Sequence, residues 1–310
     1  MPPSPYGPML LIANPSAGRG RGAVLQTLTT ALDATDLDYR IVTTAGPGDA
    51  TELAARAVTS GDHRFVVAVG GDGTVHEVVN GLVDAGAGTA RGDGLVLGVV
   101  AGGSGCDFIK TFGLPADPRK IVRHLGGDAL FPIDLGRIRY VDRSGRQITR
   151  VFANIAEAGW GADVTERANG LPRWVGPTRY VAAIFLATMR MKAVLTTVTV
   201  DHTELTEPMT EVVIANGQFF GGGLKVAPRA LPDDGKLNVQ TWQSRPTDVF
   251  RDLPKVRVGE HLSRPDIREY QSSAVTVDAV SPLTVEADGE VLGTTPATFD
   301  VLRGQVSLKI

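Results

Sequence analysis

Asp72 is the residue of this chain best placed to do chemistry, because of the company it keeps. It stands in Gly70-Gly71-Asp72-Gly73-Thr74. Glycines in such a turn let backbone approach a phosphate closely, and unpaired amides at a following helix start attract it. A carboxylate in that position repels phosphate unless it meets a metal ion or a transferable proton. Asp107 closes a second glycine-rich stretch, Ala101-Gly102-Gly103-Ser104-Gly105-Cys106-Asp107. A third stretch, Asn14-Pro15-Ser16-Ala17-Gly18-Arg19-Gly20-Arg21-Gly22, carries two arginines instead of an acid. Far along the chain, Asp288-Gly289-Glu290 sets two carboxylates around one glycine. Backbone donors, a cation, a metal-holding carboxylate and a proton acceptor are the parts phosphoryl transfer uses. Taken singly, each of these acids is as readily a helix cap or a turn residue.

The flanking residues say what must position them. Apolar runs over 9–13, 65–69 and 95–100 precede the three glycine-rich stretches and read as buried parallel strands. Val75, Val78, Val79 and Leu82 follow the first stretch at helical spacing, as Val24, Leu25, Leu28 and Leu32 follow the arginine-bearing one. Residues 108–112 read as a short helix stopped by Gly113 and Pro115. Three strand–turn–helix units predict several phosphate-binding turns facing one crevice at the carboxyl ends of an open sheet. A fourth strand over 39–43 leads to Thr44, which should face the same crevice, and Asp134 also falls at a strand end. Asp288-Gly289-Glu290 lies between two strand-like runs and reads as a hairpin tip, so both carboxylates could share a face.

These segments together resemble the bacterial diacylglycerol kinase-like lipid kinases, relatives of sphingosine and ceramide kinases. The resemblance runs through Asn14 to Gly18, Thr44 before Gly48-Asp49-Ala50, Gly70 to Thr74, Gly103 to Phe108, Asp134-Leu135-Gly136, Pro228-Arg229-Ala230, Asp234-Gly235 and Asp288-Gly289-Glu290. It implies that ATP is held by Asn14, Pro15, Ser16, Ala17, Gly18, Arg19, Thr44, Gly70, Gly71, Asp72, Gly73, Thr74, Ser104 and Asp134. Asp72 and Asp107, with Asp134, would organise Mg²⁺ and water around the phosphates, while Asp288 and Glu290 form the catalytic acidic turn. A second Mg²⁺ would sit in a loop on Asp234 and the carbonyls of Leu231 and Lys236; the residues alone read better as a Pro-Asp-Asp-Gly turn with no metal. Cys106 departs from the pattern, which usually has asparagine there.

Composition bounds the rest. A chain of 310 residues with 43% hydrophobic and 21% charged content has room for two cores. The net charge of −3 gives no pull toward nucleic acid, and a single cysteine excludes an internal disulfide. The start, Met1-Pro2-Pro3-Ser4-Pro5, has no basic or apolar secretory pattern, and the apolar run from residue 180 to 189 is too short to span a bilayer. Alternating strands and helices up to about residue 137 predict a nucleotide-binding α/β domain over 1–137. The Val-, Ile- and Thr-rich strands that follow predict an antiparallel β-sandwich over 138–298 that accepts the lipid. The resemblance implies that the last strand, over 299–310, returns to the first domain. Gly18-x-Gly20-x-x-Ala23 matches a dinucleotide-binding turn, but the second strand ends in Thr43-Thr44 where a dehydrogenase has an acid. The only Gly-Lys is Gly235-Lys236, so there is no P-loop.

The expectation is therefore an ATP- and Mg²⁺-dependent kinase that phosphorylates a lipid alcohol, with diacylglycerol the first candidate. A kinase of a soluble dinucleotide and a catalytically idle nucleotide-binding protein remain open alternatives. The expected setting is cytoplasmic with peripheral contact to an anionic membrane, through Arg173 and Trp174. No nucleic-acid partner is expected, and a homodimer stays open.

Overall fold

The computed structural model describes residues 4–17, 22–103, 105–171 and 178–310. Short runs of Val, Leu and Ile form the first layer: β1 (Met9–Ala13), β2 (Tyr39–Thr43) and β3 (Phe65–Gly70), then, after the small β4–β5 hairpin (Val83–Asp84, Thr89–Ala90), β6 (Val96–Ala101). They pair in parallel in the order β2-β1-β3-β6, with Met9 opposite Tyr39 and Phe65, and Phe65 opposite Val96. Parallel strands need crossovers. These are α1 (Ala23–Leu32), α2 (Asp49–Thr59) and α3 (Asp72–Leu82); after β6 come α4 (Asp107–Thr111) and α5 (Pro118–Leu125).

Alternation along each strand fills both faces. Leu10, Ile12, Val66, Ala68, Leu97 and Val99 pack with α2 and α3. Met9, Leu11, Phe65, Val67, Val96 and Val100 pack with α1 and α5. With helices on both sides, the strands read as continuous apolar runs, and their carboxyl ends are left as the open edge of the layer.

Beyond Leu130 strands dominate. β7 (Leu130–Val141), β8 (Gln147–Phe152) and β9 (Ile155–Gly159) lead into α6 (Trp160–Gly170) and α7 (Thr178–Thr188). Then come β10 (Val194–Val200), β11 (Thr203–Met209), β12 (Glu211–Ala215), β13 (Leu237–Trp242), α8 (Pro246–Val258), β14 (Ile267–Ser272), β15 (Ala274–Ala279), β16 (Thr284–Ala287) and β17 (Glu290–Lys309). The sandwich core holds Ile138, Phe152, Val198, Val212, Ile214, Val239, Val277, Val285 and Phe299. β17 runs for 20 residues, pairs antiparallel with β16, β15 and β7, and ends with Ser307 and Leu308 parallel to Val96 and Leu97 of β6.

The mixed α/β layer followed by an antiparallel sandwich is the architecture read from the sequence. Two features carried no readable signal. β7 runs unbroken through residue 137, where regular alternation of strands with helices gives way to a run made mostly of strands. α6 opens on Gly159-Trp160-Gly161, glycines that hide a helix start, yet Ala162, Val164 and Ala168 give it a buried face. Among the described residues no helix is long and apolar enough to cross a membrane.

Candidate active site

Four strand ends meet at one place. Asn14, just past β1, donates from Nδ2 to Thr74 Oγ1 of α3 at 3.4 Å and accepts the Ser16 amide on Oδ1 at 2.9 Å. Pro15 and Ser16 carry the turn outward to Ala17. Thr44, past β2, donates its amide to the Ala13 carbonyl at 3.0 Å. The turns after β3 and β6 touch backbone to backbone: the Gly102 amide donates to the Gly70 carbonyl at 2.7 Å. A Cβ on Gly103 would lie 2.6 Å from the Gly71 Cα, so glycine is required for this approach.

Asp72 opens α3 and spans these turns. Its Oδ1 accepts the Phe108 amide at 3.0 Å, which ties the start of α3 to the start of α4. Burial pushes its carboxyl above the usual carboxylate range against that amide, and the charges of Asp107 and Asp288 push it further the same way. Asp107, first residue of α4, is buried and accepts from Lys110 Nζ at 2.7 Å and from the Gly222 amide at 2.7 Å. The Gly222 bond brings the loop after β12 against the turns that follow β3 and β6. Cys106 holds a left-handed φ of 49°, which asparagine adopts more readily, and its Sγ donates to the Gly103 carbonyl at 3.3 Å.

The acidic turn comes from the sandwich. Asp288 and Gly289 both have positive φ, 50° and 88°, and join β16 to β17 in a two-residue hairpin. Asp288 is buried and fully engaged. Its Oδ1 accepts the amides of Asn154 and Ile155, and its Oδ2 accepts the Ala153 amide at 2.9 Å and lies 2.9 Å from His76 Nδ1. Glu290 is half exposed, with Oε2 3.9 Å from His76 Nε2 and Oε1 4.0 Å from where a Gly73 Cβ would lie. The acidic turn thus touches the first turn of α3, one residue from Asp72.

His76 is the contact between the two halves that sequence reasoning missed. Burial alone would lower it, but the hydrogen bond to Asp288 and the charges of Asp288 and Glu290 outweigh burial and hold the imidazole above its ordinary value. The available signal was its place one helical turn after Asp72, on the same face of α3. Lys110, one turn after Asp107, was missed in the same way.

Other expected site residues lie elsewhere. Both Asp134 oxygens accept backbone amides, from Gly304 at 3.0 Å and Gly235 at 2.7 Å, and its own amide donates to the Pro232 carbonyl. It therefore ties the 231–236 loop to β17. In that loop Leu231 and Asp234 are exposed, and Asp234 Oδ1 accepts the Lys236 amide at 2.9 Å, closing a turn. Gly18, Arg19 and Ser104, and the Arg173–Trp174 stretch, lie outside the described residues.

Among the described residues no three His, Cys, Asp or Glu side chains converge as a metal cage. Mg²⁺ in phosphate-handling sites is commonly held by one or two carboxylates, with water and the phosphates completing the shell. Asp72 and Asp107, like charges held close and partly desolvated, fit that donor set.

The two halves match two known domains. Residues 8–138 match the diacylglycerol kinase catalytic domain, and residues 154–310 match the YegS C-terminal NAD kinase beta sandwich-like domain. The chain belongs to the diacylglycerol kinase-like lipid kinase family. It is 28% identical over 314 residues to a diacylglycerol kinase of Mycobacterium tuberculosis strain CDC 1551 / Oshkosh, covering 96% of this chain and 95% of that protein. A diacylglycerol kinase of Staphylococcus haemolyticus strain JCSC1435 is 25% identical over 301 residues, covering 96% of this chain and 86% of that one. The crystal structure of a diacylglycerol kinase from Bacillus anthracis strain Sterne superimposes with a TM-score of 0.72 at 21% identity, covering 99% and 97% of the two chains, a likeness of fold.

Proposed function

We propose that the protein transfers the γ-phosphoryl group of ATP to the hydroxyl of a lipid alcohol, with diacylglycerol the first candidate acceptor. The observation that carries this reading is the approach of Glu290, a half-exposed carboxylate, to the phosphate-type turn that holds Asp72. The turn at Gly70–Thr74 offers backbone amides to the nucleotide phosphates; the Asn14–Ala17 turn and Thr44, whose own amides are bonded within the fold, would line them with side chains. Gly18, Arg19 and Ser104 are proposed to extend the same cradle. Asp72 and Asp107 would hold Mg²⁺, which when bound neutralises charge on the phosphates.

The acceptor hydroxyl oxygen forms a bond to the γ-phosphorus as the bond from that phosphorus to the β–γ bridging oxygen breaks, and ADP departs. The hydroxyl proton passes to Glu290. Asp288 already accepts three backbone amides and faces His76, so its task is to fix the hairpin and the imidazole, and through them Glu290.

Contact with a membrane is part of the proposal. α7 packs Ala183, Ile184 and Ala187 against α6 and leaves Val181 and Phe185 in solvent, beside Phe250 of α8 and the exposed Met189, Arg190 and Lys192 that follow it. An apolar ridge with basic residues suits the interface of an anionic bilayer. Labelled ATP offered with lipid alcohols in mixed micelles, and separately with soluble NAD, tests the function. Transfer to a lipid alcohol alone is expected; transfer to NAD with none to any lipid would overturn it. Sedimentation with anionic vesicles, weakened by salt and by Phe185→Ser, tests the membrane contact.

A further inference from the structure

The proton that Glu290 takes from a hydroxyl must leave it before the next turnover, and few groups around the acidic turn have room for it. Asp288 has none. Each of its oxygens already accepts two hydrogens, from the Asn154 and Ile155 amides on Oδ1 and from the Ala153 amide and His76 on Oδ2. Glu286, whose Oε2 accepts the Gly289 amide at 2.9 Å, is no better placed. It is buried directly opposite Glu157, with Glu211 two residues along the same face of the sheet. Burial, then the charge of Glu157, raises Glu286 well above the carboxylate range. An acid that keeps its own proton takes no second one.

That leaves the imidazole. His76 is buried on α3, and its two nitrogens face the two carboxylates of the hairpin. Nδ1 lies 2.9 Å from Asp288 Oδ2, and Nε2 lies 3.9 Å from Glu290 Oε2. A carboxylate offers only acceptors, so Nδ1 carries the hydrogen and donates it to Asp288.

What Nε2 carries follows from Asn80, one helical turn on. Asn80 Oδ1 accepts the Val151 amide at 2.9 Å, which fixes the orientation of this side chain. Its Nδ2 donates to the Val151 carbonyl at 2.7 Å and to the His76 carbonyl at 2.9 Å, and lies 3.3 Å from His76 Nε2. A hydrogen on Nε2 would press against that amide nitrogen, whereas a lone pair is at ease there. The neutral ring is therefore the Nδ1–H tautomer, with its lone pair on the Glu290 side. Burial opposes a second proton on the ring, and the charge of Arg150 on β8 opposes it too. The Asp288 hydrogen bond and the charges of Asp288 and Glu290 outweigh both.

We propose that His76 is the second station of a proton relay, in which Nε2 takes from Glu290 the proton that Glu290 has taken from the acceptor hydroxyl. The acceptor O–H bond breaks as its oxygen binds the γ-phosphorus, and a Glu290 O–H bond forms. That bond breaks in turn as the Nε2–H bond forms, so Glu290 is a carboxylate again and His76 an imidazolium held by Asp288. Moving the proton behind Glu290 removes the acid that the reverse transfer needs. Once the products leave, the imidazolium returns the proton to Glu290, whose half-exposed carboxylate passes it to water.

The relay rests on the lipid kinase reading, and its tests separate the two. With ATP and diacylglycerol in mixed micelles, kcat should rise with pH through the folded value of the imidazole and then level. His76→Asn, which can still donate to Asp288, should lower kcat about tenfold or more, abolish that limb and leave KM for ATP unchanged. His76→Ala should lose at least as much. 4-Methylimidazole should rescue it severalfold better than 4-bromoimidazole, a ring of nearly equal size and much weaker basicity. An unchanged limb in His76→Asn, or equal rescue by the two rings, would overturn the relay and leave the kinase standing. Nitrogen NMR of the histidine-labelled protein needs no turnover. The His76 ring, assigned by its loss in His76→Asn, should hold its hydrogen on Nδ1 when neutral and titrate lower in Glu290→Gln. A neutral ring protonated on Nε2 would overturn the relay whatever the acceptor. An Nδ1–H ring in a protein that phosphorylates no lipid alcohol would sink the kinase reading alone.

Discussion

Glu157→Gln should flatten the dependence of folding stability on pH. In the fold, burial alone drives the Glu157 carboxyl from 4.5 up to about 8. Between those values the unfolded chain has released the proton and the folded chain still holds it, so stability falls as pH rises across that window. At about 1.4 kcal/mol per pH unit the whole window is worth about 5 kcal/mol. That stability is present below pH 4.5 and gone above pH 8. Glutamine keeps the shape, makes no such demand, and relieves Glu211 and Glu286, for which the charge of Glu157 ranks directly after burial among the causes of their rise. Thermal melts at pH 5, 6.5 and 8, at fixed ionic strength, provide the assay. The variant should melt close to wild type at pH 5 and roughly 10 °C above it at pH 8. His76, held above its ordinary value, adds a fall of the same sign as pH rises through its folded value, but it does so in both proteins and cancels in the comparison. Parallel curves for the two proteins would refute the reasoning, because they would mean Glu157 titrates alike folded and unfolded.

Asp72→Asn should lower kcat by about two to three orders of magnitude. Its melting temperature should hold or rise, since the change removes a carboxylate pressed by Asp107; steady-state kinetics and melts check both. Glu290→Gln should lower kcat by about 10²–10⁴ with KM for ATP and melting temperature unchanged. Asp288→Asn should instead cost about 2 kcal/mol of stability as well as activity, because its charge serves three amides and His76. Asp234→Ala should shrink the rise in melting temperature produced by added Mg²⁺ if the 231–236 loop holds a cation; an equal rise in both proteins would make the loop a turn only.

The family and the α/β-then-sandwich order were legible because they rest on local patterns: apolar strands, glycine turns and short Val-rich runs. What escaped were contacts between segments far apart in the chain. His76 meets Asp288 across 212 positions, and nothing local to Val75-His76-Glu77 marks it except its spacing from Asp72. Glu157, Glu211 and Glu286 are single acids inside apolar strands, and only the strand register puts them on one face. Asp134 is expected at a strand end, but it lies inside β7. Its partners Gly235 and Gly304 lie 101 and 170 residues away, beyond the reach of periodicity.

β17 has a consequence of a different kind. One end carries Glu290 at the acidic turn, and the other lies against β6 in the parallel layer. The strand is thus a measuring rod, on which the spacing of two functional zones is written as a residue count. Side chains alternate along it, so losing one residue between 291 and 306 would shorten the rod and also turn every later side chain to the opposite face. Insertions and deletions should therefore be tolerated in the connections around this strand far more readily than within it, and the length of β17 should vary less than its composition wherever this architecture is reused.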